Sequence, residues 1–175
     1  MAFCVLAARE SGDHLYIWGG DRADEGGFDC SGYVCDLLMR ANRLWPGIYN
    51  GGRTTAHGIH QYFDELGTPD VDDIDELKPG ALMFYRRIAT GAITRGEPRI
   101  FHTALHVCTL DEYNLSNGDT APIGPIAIES GGAGSFATSP REALRVSAGV
   151  RMTASDVHGR GVEWVSKDPF AHLSF

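Results

Sequence analysis

The sequence predicts an α+β fold in which helices come first and an antiparallel sheet follows. Two stretches, 30–44 and 55–66, place apolar residues at the spacing of a helix face. Later in the chain, short apolar runs lie between turn residues, a pattern typical of strands. These predicted strands cover 81–85, 103–110, 126–129 and 144–152. Helices followed by strands favour a helical layer on an antiparallel sheet, with the C-terminal segment packing back on it.

The first long helix is expected to begin at Cys30, because Asp29 stands at the N-cap position before the apolar periodic stretch. Its apolar face is supplied by Val34, Leu37, Leu38 and Met39. Pro46-Gly47 follow the helix and mark its end. A shorter helix is predicted over 2–10, near the start of the chain.

The second long helix is predicted over 55–66, with Thr54 or Thr55 as its cap. The side chains expected to face the core are those of Ile59, Tyr62, Phe63 and Leu66. His57 and His60 also lie on this helix. We interpret both as exposed or hydrogen-bonded side chains rather than ligands.

Length and charge narrow the class of protein. A chain of 175 residues has the length of one domain, so residues 1–175 are expected to form a single unit. The 15 basic and 23 acidic residues give a net charge of −8, which disfavours nucleic acid as a partner because phosphate backbones are repelled. The start lacks a basic region followed by a long apolar stretch, and no run reaches membrane-spanning length. We therefore expect no signal peptide, synthesis in the cytoplasm and no membrane insertion.

The four cysteines, which include Cys108, are expected to be free thiols, because a chain of this length needs no disulfides. Cys4 and Cys35 lie among apolar helix-forming residues, which predicts small core side chains. Cys30 differs, since it opens a helix after the glycine-rich aromatic loop 16–20. The N–H groups at a helix N-terminus stabilise a negatively charged sulfur. Cys30 is therefore the candidate nucleophile.

Glycines flank this cysteine on both sides. Gly26 and Gly27 precede it and Gly32 follows it, so we expect little bulk where a substrate backbone would approach the sulfur. A glycine inside a helix costs about 1 kcal/mol relative to alanine. We interpret that cost at Gly32 as a sign of a ligand site.

His106 is the expected general base. Strand alternation places it on one face with His102, Ala104 and Cys108. Along an extended strand His102 and His106 are separated by about 13 Å, so only one of them can meet Cys30, and His102 is expected at the rim. Glu129, at the end of an apolar strand, is expected to orient the imidazole. The alternative for Glu129 is an ordinary glutamate at the end of a strand.

A zinc site is the competing interpretation of the cysteines and histidines. Cys30, Cys35, His102 and His106 have spacings that loosely resemble those of zinc-finger ligands. The separation of the two histidines along a strand argues against one tetrahedral ion with bonds near ~2 Å. We therefore expect no metal and no cofactor.

Several short stretches, taken in order over most of the chain, resemble the NlpC-type family of cell-wall cysteine peptidases. They are Tyr16-x-Trp18-Gly19-Gly20, Gly27-Phe28-Asp29-Cys30-Ser31-Gly32, Arg53-Thr54-Thr55-Ala56 with Gln61, Leu77-x-Pro79-Gly80 and His106-Val107. The resemblance implies a compact papain-like fold with the nucleophile helix packed on an antiparallel sheet. The C-terminal stretch 168–173 is similar to the close of some phage-encoded members.

By this resemblance the chain would be an endopeptidase that cuts peptidoglycan stem peptides between the γ-carboxyl of D-glutamate and a diamino acid. Cys30 would be the nucleophile and His106 the base. For the third catalytic residue many members carry a second histidine, an asparagine or a glutamine, whereas this chain offers Glu129. Tyr16 and the Cys30 N–H would form the oxyanion hole. The pocket residues implied in addition are Trp18, Asp29 and Ser31.

The resemblance also implies where such a protein acts. A phage lysin released by a pore partner, or one carried in the virion, is expected to reach the cell wall. The alternatives are a cytosolic peptidase that recycles muropeptides, a non-catalytic phage tail component that binds the wall, and an acyl transferase using the same thiolate. Two departures from the family pattern are Glu129 as the third residue and the region of His106. There the usual His-Val-Gly-Ile run is His-Val-Cys-Thr, and an unusual insertion over 87–100 precedes it.

Overall fold

The computed structural model describes residues 12–87, 100–109, 125–131, 137–154 and 162–173, together with Cys4, Ala7 and Glu10. Most of the predicted helix over 2–10 lies outside the described residues, although Cys4 and Ala7 have helical backbone. Positions 88–99 of the predicted insertion also lie outside them. Within the described parts, no helix combines the length and apolar character that a bilayer crossing requires.

The described residues form three α-helices. Helix α1 spans Cys30–Ala41, α2 spans Ala56–Glu65 and α3 spans Pro140–Arg145. Side chains of Asp29 and Thr55 cap the first two helices by accepting from the amides of Gly32 and Gly58. Both N-cap predictions are thereby confirmed, with Thr55 rather than Thr54 as the cap of α2.

Seven strands form two antiparallel sheets in the described part of the chain. The small sheet pairs β1 (Asp21–Arg22) with β2 (Gly27–Phe28) just before α1. The large sheet has the order β6-β5-β4-β3-β7. Its strands are β3 (Leu82–Arg87), β4 (Ile100–Thr109), β5 (Pro125–Gly131), β6 (Gly149–Ala154) and β7 (Val162–Lys167).

Both faces of the large sheet bury apolar side chains. Helix α1 packs against β4 and β5, and α2 packs against β4 and β3. The strand residues in the core shared with these helices are Leu82, Phe84, Ile100, Leu105, Ile128, Val150 and Val165. A second cluster contains Met83, Tyr85, Ala104 and Ala127, with Trp164 packed against it. The chain is therefore an α+β protein with an antiparallel sheet, as the order of its elements predicts.

Three details of the prediction are wrong. Met39, expected on the apolar face of α1, is 42% exposed. The strand expected over 144–152 begins only at Gly149, because Leu144 belongs to α3 and is 67% exposed. The helix forms there because Ser139 caps it and Pro140 occupies its first position, where a missing N–H costs nothing. Leu66, expected in the core, is the C-cap residue of α2 and is exposed.

Candidate active site

Cys30 is the first residue of α1 and is partly exposed at its N-terminus. It borders a cavity of about 430 Å³. The residues that line this cavity with it are Tyr16, Trp18, Asp29, Ser31, Arg53, Thr55, Ala56, Ile100 and Phe101. The predicted nucleophile therefore lies at a helix terminus that a ligand can reach.

The histidine beside Cys30 is His102. Nε2 of its ring hydrogen-bonds Oε2 of Glu129 at 2.5 Å. Cys30 lies near enough for its sulfur to act on the pKa of the same ring by hydrogen bonding and by charge. Because Nε2 is used by Glu129, Nδ1 is the ring nitrogen left for the contact with the sulfur. Cys30, His102 and Glu129 thus form one continuous chain of polar contacts.

The assignment of His106 as the base is corrected by this geometry. His106 lies four residues further along β4 than His102 and is fully buried. Its backbone pairs with the turn before β3, since its N–H donates to Ala81 and its carbonyl accepts from Gly80. His102 was expected at the rim. The structure instead places it in the cluster with Cys30.

The environment of His102 favours its protonated form. Burial by itself lowers the pKa of this histidine, but the hydrogen bonds to Cys30 and Glu129 and the negative charges of those two groups raise its pKa to about 10. An imidazolium next to the sulfur stabilises a thiolate by charge and by hydrogen bonding.

Glu129 occupies the third position of the cluster, and its residue is 1% exposed. One carboxylate oxygen, Oε2, faces His102, while Oε1 accepts from Nη2 of Arg151 at 3.1 Å. The interpretation of Glu129 as an ordinary strand-end glutamate does not fit this placement, because a buried carboxylate between two cations is held in one orientation.

Tyr16 lies beside Cys30 and is almost fully buried. Burial raises the pKa of its hydroxyl strongly, and the negative charges of Cys30 and Asp29 raise it further. The phenol therefore keeps its proton and remains a hydrogen-bond donor at the edge of the cavity. This placement fits the oxyanion role expected for it.

Asp29 and Ser31 line the cavity as expected, but their polar atoms are already engaged. Asp29 Oδ1 accepts from the amide of Gly32 at 2.6 Å and from the Ser31 hydroxyl at 2.9 Å. Its Oδ2 accepts from the amide of Gly19 at 3.1 Å and from Arg53 Nη2 at 2.8 Å. Arg53 also donates to the Ser31 hydroxyl at 3.0 Å. The carboxylate therefore fixes the loop and the helix, and its charge is balanced by Arg53.

Trp18 forms an exposed edge of the same cavity, with 58% of the residue accessible. Phe101 lines the cavity as well, is also exposed and lies under the guanidinium of Arg87 at 5.6 Å. Two accessible aromatic side chains therefore border the approach to Cys30.

The glycines around Cys30 serve packing rather than substrate access. A Cβ on Gly32 would overlap the carbonyl oxygen of Gly20, and one on Gly27 would overlap the carbonyl oxygen of Leu15. The small sheet and the loop that carries Tyr16 therefore lie directly against the first turn of α1. The expectation that Gly32 leaves room for a substrate backbone is corrected accordingly.

One cluster outside the cavity has donor groups close enough to share a metal ion among the described side chains, namely His60, Asp64 and Asp70. The ammonium of Lys167 already contacts both carboxylates, at 2.7 Å from Asp64 and 2.9 Å from Asp70. His60 bonds the same two aspartates. The interpretation of His60 as a hydrogen-bonded histidine is therefore confirmed.

The other cysteines that the structure describes are buried and unpaired in disulfides. Cys4 donates to the carbonyl of His106, and Cys35 lies in the core near Tyr49. Burial raises the pKa of the Cys35 thiol. Cys35 is thus a core residue, not a partner of Cys30 in a zinc site. The side chain of Cys108 lies outside the described part of the structure.

The sequence alone does not indicate that His102 and Arg151 both contact Glu129. Nor does it indicate that Arg53, which belongs to one of the motif stretches, is the cation beside Asp29, the N-cap residue of α1. Arg151 pairs directly across the sheet with Glu129, but a charged residue in a strand gives no signal of such a contact by itself.

No family model, curated protein or solved structure matches the chain. Inference about function therefore depends on the geometry around Cys30 and on the resemblance of the short sequence stretches.

Proposed function

We propose that this chain is a cysteine hydrolase of the NlpC type that cleaves amide bonds in peptidoglycan stem peptides. The observation that carries the proposal is the contact chain that starts at Cys30, in the wall of a cavity, and runs through His102 to Glu129. A nucleophile, a base and a group that orients the base are the parts that acyl transfer requires.

In the proposed acylation step, the Cys30 thiolate attacks the carbonyl carbon of the amide and a carbon–sulfur bond forms. The negative charge that develops on the carbonyl oxygen would be stabilised by the Tyr16 hydroxyl and by the Cys30 N–H at the start of α1. His102, protonated in the free site, gives its proton to the leaving amine as the carbon–nitrogen bond breaks. The product is a thioester on Cys30 and a free amine.

In the proposed deacylation step, neutral His102 takes a proton from water while the water attacks the thioester. The carbon–sulfur bond breaks, the carboxylic acid leaves and Cys30 is released as a thiolate beside protonated His102. Glu129 stabilises the imidazolium in both steps and holds the ring so that the second nitrogen points to the sulfur.

The choice of substrate follows from the resemblance and from the cavity. Its volume of about 430 Å³ suits a short peptide segment, and exposed Trp18 borders it. The amide between D-glutamate and a diamino acid is the proposed bond, within a papain-like fold. The proposed site of action is the cell wall, reached as a phage lysin or a virion-associated lysin.

The test is digestion of purified walls of both cross-link chemistries, with products identified by mass spectrometry. We expect Cys30→Ala to abolish release of peptides, and His102→Gln to reduce the rate by at least about 10²-fold, the lower range for loss of a general base. His57→Gln, on α2 outside the cavity lining, is the matched control and should retain the rate.

His106→Gln separates the two histidines of β4. We expect it to retain more activity than His102→Gln when circular dichroism shows both to be folded. Activity in Cys30→Ala, or full activity in folded His102→Gln, would overturn the proposed function. A new amide or ester in place of a free carboxylate would identify acyl transfer instead.

A further inference from the structure

Glu129 is a buried carboxylate that contacts two positively charged partners in the described structure. Oε2 faces His102 at 2.5 Å and Oε1 accepts from Arg151 Nη2 at 3.1 Å. Arg151 lies directly opposite Glu129 in the pairing of β5 with β6. Its side chain is 43% exposed, so it reaches from the surface of the sheet to a carboxylate that solvent barely touches.

The four groups alternate in sign. A Cys30 thiolate, a His102 imidazolium, a Glu129 carboxylate and an Arg151 guanidinium sum to zero charge. Without the guanidinium, the buried cluster would carry one uncompensated negative charge, which low-dielectric surroundings disfavour. The simplest relief is uptake of a proton by Glu129, which would end its role as the partner of an imidazolium.

We propose that Arg151 is a positioning residue for the catalytic cluster: it keeps Glu129 ionised and fixes the carboxylate so that Oε2 faces His102. This inference depends on the proposed function of Cys30 and His102. Arg151 acts through Glu129 and touches neither the substrate nor the sulfur.

The groups that face Glu129 come from each strand around it. Among the described residues they include His102 on β4, Arg151 on β6 and Tyr85 on β3, with Cys30 of α1 reached through His102. Burial raises the pKa of Tyr85, and the charge of Glu129 raises it further, so this phenol stays neutral. Arg151 is a permanent cation, since arginine does not lose its proton in proteins.

These charges predict how the pH profile of activity changes when Arg151 is replaced. Loss of Arg151 favours the protonated form of Glu129, so inactivation on the acidic side should move to higher pH. Lysine restores the charge but not the planar guanidinium. The acidic limb of the Arg151→Lys pH profile should therefore lie between that of the wild type and that of a variant with no charge at position 151. Once Glu129 is replaced by glutamine, there is no carboxylate left to keep ionised, and loss of Arg151 should have little further effect.

The experiment measures three quantities as a function of pH for the full chain: the rate of Cys30 alkylation by iodoacetamide, and kcat and KM on a soluble stem peptide. The variants are Arg151→Met, Arg151→Lys, Glu129→Gln and the double variant Glu129→Gln/Arg151→Met. Arg145→Met removes an exposed arginine at the end of α3 and is the matched control.

For Arg151→Met we expect kcat near pH 6 to fall by about 10- to 100-fold with KM nearly unchanged, the range for a buried charged group that loses its partner. The acidic limb of both profiles should move to higher pH, and Arg151→Lys should move it part of the way back. The double variant should match Glu129→Gln. Arg145→Met should match the wild type.

The experiment distinguishes failure of the proposed function from failure of the role proposed for Arg151. If wild-type Cys30 reacts no faster than a buried core thiol and no peptide is cleaved, the proposed function itself fails. If the wild type is reactive and Arg151→Met, shown to be folded, has the same pH limbs and kcat, only the role of Arg151 is overturned. An additive loss in the double variant would likewise contradict action through Glu129.

Discussion

His102 lies between two groups that are negative when ionised, and this placement decides its protonation. Burial alone would lower the pKa of the ring, yet Cys30 and Glu129 raise it to about 10. A histidine held in this way is charged throughout the neutral range, whereas an unperturbed histidine changes charge near pH ~6.5. In the proposed mechanism the proton for the leaving amine is therefore already in place before substrate binds.

This gives a prediction for the titration of His102. Its folded pKa is raised above the unfolded value, so the interaction is fully present below the ordinary histidine pKa and is lost as pH rises through about 10. Nitrogen-15 NMR of the imidazoles should show His102 protonated at pH 8. Glu129→Gln removes one charge and one strong acceptor, so the pKa of His102 should fall. Glu65→Gln, at the exposed end of α2, should leave it unchanged.

A neutral His102 at pH 8 in the wild type would contradict this prediction. So would a titration of His102 that does not respond to Glu129→Gln.

Local signals predicted Cys30 at a helix start and Glu129 at a strand end, but they favoured His106 over His102 as the histidine beside them. Asp29 and the apolar periodicity after Cys30 define a helix start from neighbouring residues alone. The choice between His102 and His106 depends on which end of β4 meets α1, which is a long-range property. Strand alternation puts both histidines on one face of β4. The pairing register shifts beside each of them, at Phe101 next to His102 and at Val107 next to His106, and a periodic pattern does not reveal such shifts.

The close approach of α1 to the loop before it is the feature of the elements that shapes the site. Gly32 in the first turn lies against the carbonyl of Gly20, and Asp29 bonds the amides of Gly19 and Gly32 from one side chain. Tyr16 and Trp18 belong to the same loop. The position of the Tyr16 loop relative to the sulfur is thus set by backbone packing rather than by a flexible contact.

Gly32→Ala tests this packing. In an unhindered helix the change would stabilise the protein by about 1 kcal/mol, because alanine is the better helix former. Here the new Cβ meets the backbone of Gly20, so we expect destabilisation by about 1–3 kcal/mol and a fall in kcat as the Tyr16 loop moves. Thermal unfolding and peptide cleavage measure the two effects.

Met39→Ala, at an exposed position of α1, is the control and should change the free energy of unfolding by at most about 0.5 kcal/mol. A Gly32→Ala protein more stable than the wild type, with unchanged kcat, would show that the close approach has no role in positioning the loop.

Elements with strong local signals were predicted well, and those defined by partners were not. Helix α2 was predicted to within a residue at each end, because a threonine cap and a clear apolar face define it. Helix α3 is missing from the prediction, which assigns only its last two residues, Leu144 and Arg145, to a strand, although Ser139 followed by Pro140 and Glu142 is a helix start signal. Short apolar runs do not separate a strand from a helix by periodicity alone.

At the scale of the whole molecule, the C-terminal strand β7 lies at one edge of the large sheet. The four strands β3 to β6 follow one another as neighbours, and β7 then returns to the far edge and pairs with β3. The segment after α2 adds to this edge, since Val71 and Ser166 exchange backbone hydrogen bonds at 2.9 and 2.7 Å. The general packing of the C-terminal segment was predicted, but its pairing partner depends on contacts distant in sequence.

Lys167, the last residue of β7, links this edge strand to α2. It is 1% exposed, and its ammonium contacts Asp64 and Asp70 and donates to the carbonyl of Thr68 at 2.7 Å. His60 lies on the other side of the same two aspartates. The Lys167 ammonium therefore links β7 of the sheet to α2 through ion pairs. It contacts the same two carboxylates that a metal ion in this cluster would bind.

Lys167→Met tests this link. The variant keeps the aliphatic length but loses three charge-assisted contacts, and we expect the free energy of unfolding at pH 7 to fall by about 2–3 kcal/mol. Burial by itself raises the pKa of Asp70, but hydrogen bonding and charge from Lys167, together with His60, lower it below the ordinary value of 3.8. Its contribution is therefore present above pH 3.8 and lost as pH falls through the lowered value.

The difference in stability between wild type and Lys167→Met should accordingly be largest near pH 7 and shrink below about pH 4, as pH falls toward the lowered pKa of Asp70. Urea unfolding at a series of pH values measures it, with Lys78→Met, at an exposed position, as the control. A difference that is constant from pH 7 to pH 3 would assign the loss to apolar packing. The charge of Lys167 would then have no part in holding β7 to α2, and the cluster of His60, Asp64 and Asp70 would need another explanation for its position under the last strand.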